Sequence, residues 1–334
     1  MSGPHRVSVV LCAYTEDRWQ EIIAAIGSVQ RQTMPPVEIV LVIDHNPSLL
    51  ARAREQLPGV LVIENWQPRG LSGARNSGIA ATCGDVIAFM DEDAAAAPDW
   101  LERLARYYAS AEVLGVGGAI EPVWQAERPR WFPAEFDWVV GCTYRGLPET
   151  PTPVRNLIGC NMSFRREILE GLGGFRNGIG RVGPLLVGGE DDETELCIRL
   201  RQRWPSGELR YEPRARVYHH VPAHRARWDY FRVRCFSEGL SKALVARIVG
   251  VGDGLSSERA YTLRTLPRGV MRGLADMIRD HDFGGLVRSA VIILGLAITA
   301  SGFAYGLVSL RLVDEPATRS LGSPISLTES HRRE

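Results

Sequence analysis

Over the first 125 residues, short apolar runs alternate with longer amphipathic stretches. Val7–Ala13 (VSVVLCA), Val37–Ile43 (VEIVLVI), Val60–Ile63 and Val86–Met90 (VIAFM) are rich in β-branched side chains. Runs of this kind predict strands buried on both faces of a parallel sheet. Between the first two, Trp19–Gln32 places Ile22, Ile23, Ile26 and Val29 at helical spacing, and Ser48–Gln56 and Gly73–Thr82 predict further helices. Strand–helix–strand alternation specifies an α/β fold with helices on both faces of the sheet. Ligands of such sheets bind outside the carboxyl ends of the strands, so the residues just after each strand are the first candidates for chemistry.

The pattern then changes. Residues 126–160 are rich in Trp, Pro and Arg (ERPRWFP, TPTPV) and predict an irregular loop or lid. NLIGCNMSFRREILEGLGGF reads as an extended piece running into a helix that ends at Gly173-Gly174. Asp191–Arg203 predicts a helix with an acidic first turn, and Arg210–Tyr211 and Val217–Tyr218 predict short strands. Beyond Trp228 the chain turns helical and basic, with Thr262–Asp280 patterned as an interfacial amphipathic helix. Ser289–Leu310 is a run of 22 residues without a charge, bounded by Arg288 and Arg311. At 1.5 Å per residue it is long enough for a hydrocarbon core of about 30 Å. It contains Gly295, Gly302 and Gly306, which are common in membrane helices. Two readings stay open for it, a membrane-spanning or membrane-embedded helix and a buried helix of a soluble fold. These boundaries divide the chain into a catalytic domain over 1–235 (halves 1–125 and 126–235), an amphipathic segment over 236–285, an apolar helix over 286–313 and a disordered tail over 314–334.

Composition narrows the class. The 334 residues are 45% hydrophobic and 23% charged with zero formal net charge, an ordinary globular mix that gives no support to a nucleic-acid partner. Lys242 is the only lysine; every other fixed cation is arginine, whose planar fork pairs well with phosphate. The cysteines at 12, 83, 142, 160, 197 and 235 form no CxxC, so neither a zinc site nor a disulfide framework is expected, and a reduced cytosolic setting fits. The N-terminus lacks the basic and apolar regions of a signal peptide. Arg264, Arg268, Arg272, Arg279 and Arg288 precede the apolar run and would keep the catalytic side on the cytoplasmic face of the cell membrane.

Three polar clusters follow predicted strands: Tyr14-Thr15-Glu16, Asp44-His45-Asn46 and Asp91-Glu92-Asp93. Carboxylates gathered at one sheet edge repel one another unless a cation or hydrogen-bond donors join them. The DxD at 91–93 suits a hard divalent ion, Mg²⁺ or Mn²⁺, that also grips a diphosphate and neutralises charge on a leaving group. Gly70-Leu71-Ser72-Gly73-Ala74-Arg75-Asn76-Ser77-Gly78 allows close backbone approach at a helix start and adds an arginine for phosphate.

VSVVLCAYTED, VIDHN, GLSGARNSG, FMDED, GCNMSFRRE, GGF and ETELCIRLR occur in an order that resembles family-two glycosyltransferases over roughly residues 6–242. The continuation VYHHVPAHRARWDYFRVRCFSEGLSKA is similar to a bacterial subgroup akin to glucosyl-dolichyl-phosphate glucuronosyltransferases. The resemblance implies a GT-A (Rossmann-like) fold and a nucleotide-diphosphate sugar donor, a UDP-sugar first among them. It puts Tyr14, Glu16 and Asp44 at the nucleobase, with Ala13, Gly70 and Glu92 on the same donor side. Arg75 would reach the nucleotide or its phosphates, Asp91 and Asp93 would occupy donor-ribose and metal positions, and His219 would approach the metal or diphosphate. Asn161 and Arg165 are expected on the acceptor side. Inversion by single displacement needs a carboxylate base. In Gly188-Gly189-Glu190-Asp191-Asp192-Glu193-Thr194-Glu195-Leu196 the chain departs from the family pattern: counting back from Leu196 selects Asp192-Glu193 with Glu193 as base, whereas matching the Gly-Glu-Asp run selects Asp191.

His224-Arg225-Ala226-Arg227-Trp228 lacks the glutamine of processive synthases, which favours transfer of one sugar. A lipid-linked acceptor at the membrane is the expected partner, with a soluble or polymeric glycan as the alternative and a non-catalytic nucleotide-sugar sensor as the rival of another class. No GxGxxG follows the first strand, against a dinucleotide-dependent oxidoreductase.

Overall fold

The computed structural model describes residues 5–177, 192–249 and 259–318. One mixed sheet organises them. Strands β1 (Val7–Ala13), β2 (Glu38–Ile43), β3 (Leu61–Glu64) and β4 (Val86–Met90) are mutually parallel. They continue into β8 (Asn161–Arg165), β6 (Val113–Trp124), β9 (Glu208–Val221) and β5 (Ala94–Ala96), in the order β3-β2-β1-β4-β8-β6-β9-β5. The short β7 (Thr152–Val154) pairs with β9. Chain order reverses between β1 and β4, which opens a crevice at their carboxyl ends.

Helices α1 (Trp19–Gln30), α2 (Pro47–Gln56), α3 (Leu71–Ala81), α4 (Trp100–Ala105), α5 (Arg166–Leu172) and α6 (Asp192–Arg203) cover the sheet. Strand β1 shows why its run is apolar apart from Ser8, whose hydroxyl donates to Glu38. Val7, Val9, Leu11 and Ala13 point into one core with Ile22, Ile26 and Val29 of α1, while Val10 points into a second core with Ala74, Ile79, Leu196 and Leu200. A strand buried on both faces has no position for a polar alternation.

The second half differs from the sequence expectation in three ways. Strand β6 was not anticipated, because Gly115, Gly117 and Gly118 interrupt its pattern. The glycines are there because neighbours come too close: a Cβ on Gly118 would lie 1.8 Å from the Ala215 carbonyl oxygen. The two short strands expected near 210 and 217 are one long strand, β9. The boundary expected at residue 235 falls inside helix α7 (Trp228–Val249), so the catalytic body and the helical segment share one element.

Helices α8 (Leu266–Asp280) and α9 (Phe283–Thr318) complete the chain. Residues 314–318, expected in a disordered tail, are the last helical residues of α9; the rest of that tail lies outside the described residues. Over Phe283–Ser309 helix α9 is long and apolar enough to cross a membrane, with mean hydropathy 2.1. It is not isolated. Its glycines press onto neighbouring protein atoms, and a Cβ on Gly302 would meet the Phe236 carbonyl oxygen of α7 at 2.1 Å. The opposite face leaves Leu286, Val287, Ile293, Leu294, Tyr305 and Val308 exposed, and Leu263, Met271, Ile278 and Phe283 extend that apolar surface.

Candidate active site

The loops after β1, β2 and β4 meet at the crevice. Asp91-Glu92-Asp93 leaves β4 at the sheet edge, and β5 begins immediately after it. Strand β5 pairs with β9 and brings His219 opposite Ala94. His219 Nε2 then lies 3.2 Å from Asp93 Oδ1, and the His220 amide donates to the Asp93 carbonyl at 2.8 Å. Cys142 Sγ backs the ring at 3.7 Å from Nδ1. The expected neighbourhood of Asp93 and His219 is thus assembled through a strand pairing that nothing in the local pattern announces.

Arg18, at the start of α1, closes the other side. Its Nη1 reaches Glu92 Oε1 at 2.6 Å and Asp93 Oδ2 at 2.9 Å, and its guanidinium lies 5.7 Å from the Tyr14 ring centre. Burial and the Asp93 charge push the Glu92 carboxyl above the usual carboxylate range. Burial acts the same way on Asp93, but the His219 hydrogen bond and the charges of Arg18 and Arg225 outweigh it and hold that carboxyl well below its ordinary range. Asp93 therefore stays ionised, as an oxygen ligand for a cation must.

Asp44 is fixed differently. It accepts from Asn65 Nδ2 at 2.6 Å and from the Gly70 amide at 3.0 Å, and its Oδ1 lies 2.8 Å from His45 Nδ1. Gly70 has φ 125° at the start of α3, a conformation that favours glycine. His45 has φ 51°, so the chain turns sharply as β2 ends. Ser48 donates to Glu16, and the Asn46 amide donates to the Tyr14 carbonyl at 3.1 Å. Ala13, at the end of β1, accepts from the Asp44 amide at 2.8 Å. Tyr14 itself is half exposed. Hydrogen bonds to backbone groups and to Asn65 thus hold the loops after β1 and β2 together.

Arg75 links the two halves. It is buried to 3% exposure on α3, with Nη1 3.0 Å from Asp192 Oδ2 and Nη2 3.7 Å from Asp91 Oδ1. Burial would lower its pKa, but Asp192, Asp91 and Glu193 hold it charged. Ser72 Oγ also donates to Asp192 at 3.0 Å. Glu193 follows at the acidic start of α6, close to the Gly159 backbone. A cavity of about 480 Å³ is lined by Glu193. Asp191 lies outside the described residues.

The two expected acceptor residues differ in position: Asn161 is in register with Met90, next to Asp91, and Arg165 lies at the other end of β4. The Asn161 side chain is fully buried and accepts from Trp100 Nε1 while donating to the Ala119 and Ala215 carbonyls, each at 2.8 Å. It ties β8 to β6 and β9. Arg165 pairs in register with Val86, at the end of β4 away from Asp91, and donates to the Val113, Tyr108 and Ser110 carbonyls. Their polar atoms serve the sheet, which corrects the acceptor-side expectation. Sequence reading missed Arg18, Asn65 and Ser72. Arg18 is 74 residues from Glu92 and carries no motif of its own.

Among the described residues, no three His, Cys, Asp or Glu side chains converge as a ready-built metal cluster. The ionised Asp93 with His219 beside it, and the partly exposed Asp91, nevertheless fit an ion held by one or two carboxylates together with substrate phosphates.

The glycosyl transferase family 2 model matches residues 8–173. A glucosyl-dolichyl phosphate glucuronosyltransferase of Haloferax volcanii is 32% identical over 315 residues, covering 93% of this chain and 99% of that protein. The succinoglycan biosynthesis protein ExoM of Rhizobium meliloti is 23% identical over 70% of this chain and 72% of that protein. Among solved structures, the mannosyltransferase PcManGT from Pyrobaculum calidifontis, in complex with GDP-Man and Mn²⁺, aligns with a TM-score of 0.51 at 19% identity. That alignment covers 96% of this chain and 81% of that one and is a likeness of fold. With a relative of this identity aligned over nearly its whole length, the chain has the GT-A fold and belongs to glycosyl transferase family 2.

Proposed function

We propose that this transferase moves one sugar, with inversion, from a nucleotide-diphosphate sugar to a lipid-linked acceptor at the cytoplasmic face of the membrane. The observation that carries the reading is the single sheet edge joining Asp44, Arg75, Asp91 and Asp93 to Glu193 across Arg75. Tyr14, Glu16 and Asp44 receive the base, with UDP first among the candidate nucleotides. Asp91 faces the ribose and diphosphate, and Arg75 the phosphates. Asp93 and His219 would hold Mg²⁺ or Mn²⁺, which supplies charge neutralisation to the departing diphosphate.

Glu193 is assigned as the base. Asp192 is committed to Arg75 and Ser72, whereas Glu193 lines the cavity. As the acceptor oxygen bonds to the anomeric carbon, Glu193 takes the hydroxyl proton and the bond to the phosphate oxygen breaks. Support for the acceptor class comes from the apolar surface of α8 and α9 and from the dolichyl phosphate substrate in the relative's name. Because α7 packs against α9 and carries the exposed Arg232 beside the apolar stretch, a spanning α9 would draw that charge into hydrocarbon. A charge there costs up to about 2.5–3.5 kcal/mol at the membrane centre. Embedding along the surface avoids that cost.

Calorimetry with a panel of nucleotide sugars, each in Mn²⁺ and in EDTA, tests the donor side. One donor should bind in a metal-dependent way, and Asp93→Ala should lower its turnover by roughly 10³-fold. Absence of binding across the panel, or a fully active Asp93→Ala, would contradict the reading.

A further inference from the structure

The two ring nitrogens of His219 face different neighbours. Nε2 lies 3.2 Å from Asp93 Oδ1 at the cleft, and Nδ1 lies 3.7 Å from Cys142 Sγ behind the ring. Both residues are buried, His219 to 3% exposure and Cys142 completely. Among the described residues Nδ1 has no other hydrogen-bond partner. Cys142 comes from a part of the chain 77 residues away, just after the 3₁₀ helix Ala134–Val140. Its amide donates to the Asp137 carbonyl at 3.0 Å, and Gly141 before it takes φ 79°, a left-handed conformation that favours glycine. Backbone geometry thus sets the sulfur against the ring.

The hydrogen on the sulfur decides how the imidazole is used. A thiol has one, and Cys142 Sγ lies 3.7 Å from the Val140 carbonyl oxygen, which can only accept. With the S–H directed there, the sulfur offers His219 lone pairs alone. The ring hydrogen then sits on Nδ1 and is donated to Sγ. This tautomer leaves the Nε2 lone pair beside the Asp93 carboxylate, and two acceptors side by side suit a shared cation. The opposite tautomer would put the hydrogen on Nε2 and close that nitrogen to a metal. In metal sites the hydrogen bond made by one ring nitrogen selects what the other nitrogen presents. We infer that Cys142 is a positioning residue: its sulfur accepts from His219 Nδ1 and so offers Nε2 to the divalent ion beside Asp93. The inference rests on the metal-assisted reading of sugar transfer and adds to it the residue that orients the histidine.

Mn²⁺ is titrated into the full-length protein, alone and with UDP, and followed by electron paramagnetic resonance, whose pulsed form detects the nitrogen of a bound imidazole. The wild type should show that nitrogen coupling, and His219→Gln should lose it. Cys142→Val removes the sulfur; it should weaken Mn²⁺ about 10–100-fold and diminish the nitrogen coupling. Cys142→Ser, whose hydroxyl can donate to Val140 and accept from Nδ1, should bring both back towards the wild type. If Cys142→Val fails to fold by circular dichroism, Cys142→Ala carries the same expectation. Undiminished Mn²⁺ affinity and nitrogen coupling in folded Cys142→Val overturn the inference, and so does a folded Cys142→Ser that behaves like Cys142→Val. Mn²⁺ held by the wild type without an imidazole nitrogen overturns it too. In each of these cases Mn²⁺ binding that is lost in Asp93→Ala leaves the metal-assisted reading standing. Wild-type protein that takes up no Mn²⁺ in either condition sinks that reading itself.

Discussion

Two groups of carboxylates face the cleft, and an arginine pairs with each, yet the arginines differ. At Asp91–Asp93 the compensating Arg18 keeps 23% of its side chain exposed and sits at the mouth of the crevice. At Asp192–Glu193 the compensating Arg75 is 3% exposed and is tied to Asp192, Asp91 and the Gly159 carbonyl at once. The first arrangement resembles a charge that a divalent ion can supplement or displace. The second is a fixed strut between donor side and base. Similar acidic sequences therefore carry different duties, because what surrounds the carboxylates decides whether they are available.

Breaking the strut should have the larger effect on stability. Arg75→Ala leaves Asp192 buried without its guanidinium, a change that costs about 3–5 kcal/mol. Urea unfolding should report that loss, and Mn²⁺ should not restore it. Arg18→Gln removes a more exposed partner and should cost about 1–3 kcal/mol. Here Mn²⁺ should recover much of the loss by taking over the compensation of Asp93. Rescue of Arg75→Ala but not Arg18→Gln would reverse the comparison.

A smaller effect concerns pH. Glu92 has a folded pKa above the ordinary glutamate value, so the folded state keeps a proton that the unfolded chain has already released. Stability then falls as pH rises from about 4.3 upward. Asp93 has the opposite sign: its depressed folded pKa contributes stability above about 3.9 that is lost on acidification. Glu92→Gln should therefore gain about 1 kcal/mol over the wild type at pH 8, with the gain vanishing near pH 4. Urea midpoints at the two pH values measure it.

Legibility in the sequence follows the range of the interactions. Strands β1, β2 and β4 were readable because each is a nearly contiguous buried run, and Asp44 and Asp91–Asp93 were readable because they follow such runs directly. Arg75 was marked by its glycine-rich helix start. The partners that hold these residues were not readable. Arg18, Asn65 and Ser72 act through space on residues 74, 21 and 120 positions away. Asn161 shows the converse error: it belongs to a family motif, but its hydrogen bonds are spent on Trp100, Ala119 and Ala215. Gly302 and Gly306 of α9, read in the sequence as residues common in membrane helices, pack against α7 of the same chain.

The division of labour between Asp192 and Glu193 is tested most directly by single-turnover transfer with Glu193→Gln and Asp192→Asn side by side, donor affinity being measured on the same samples. Glu193→Gln should bind the donor as the wild type does and transfer roughly 10²–10⁴-fold more slowly, while Asp192→Asn should lose mainly donor affinity and stability. Wild-type transfer by Glu193→Gln would contradict the assignment of Glu193 as the base.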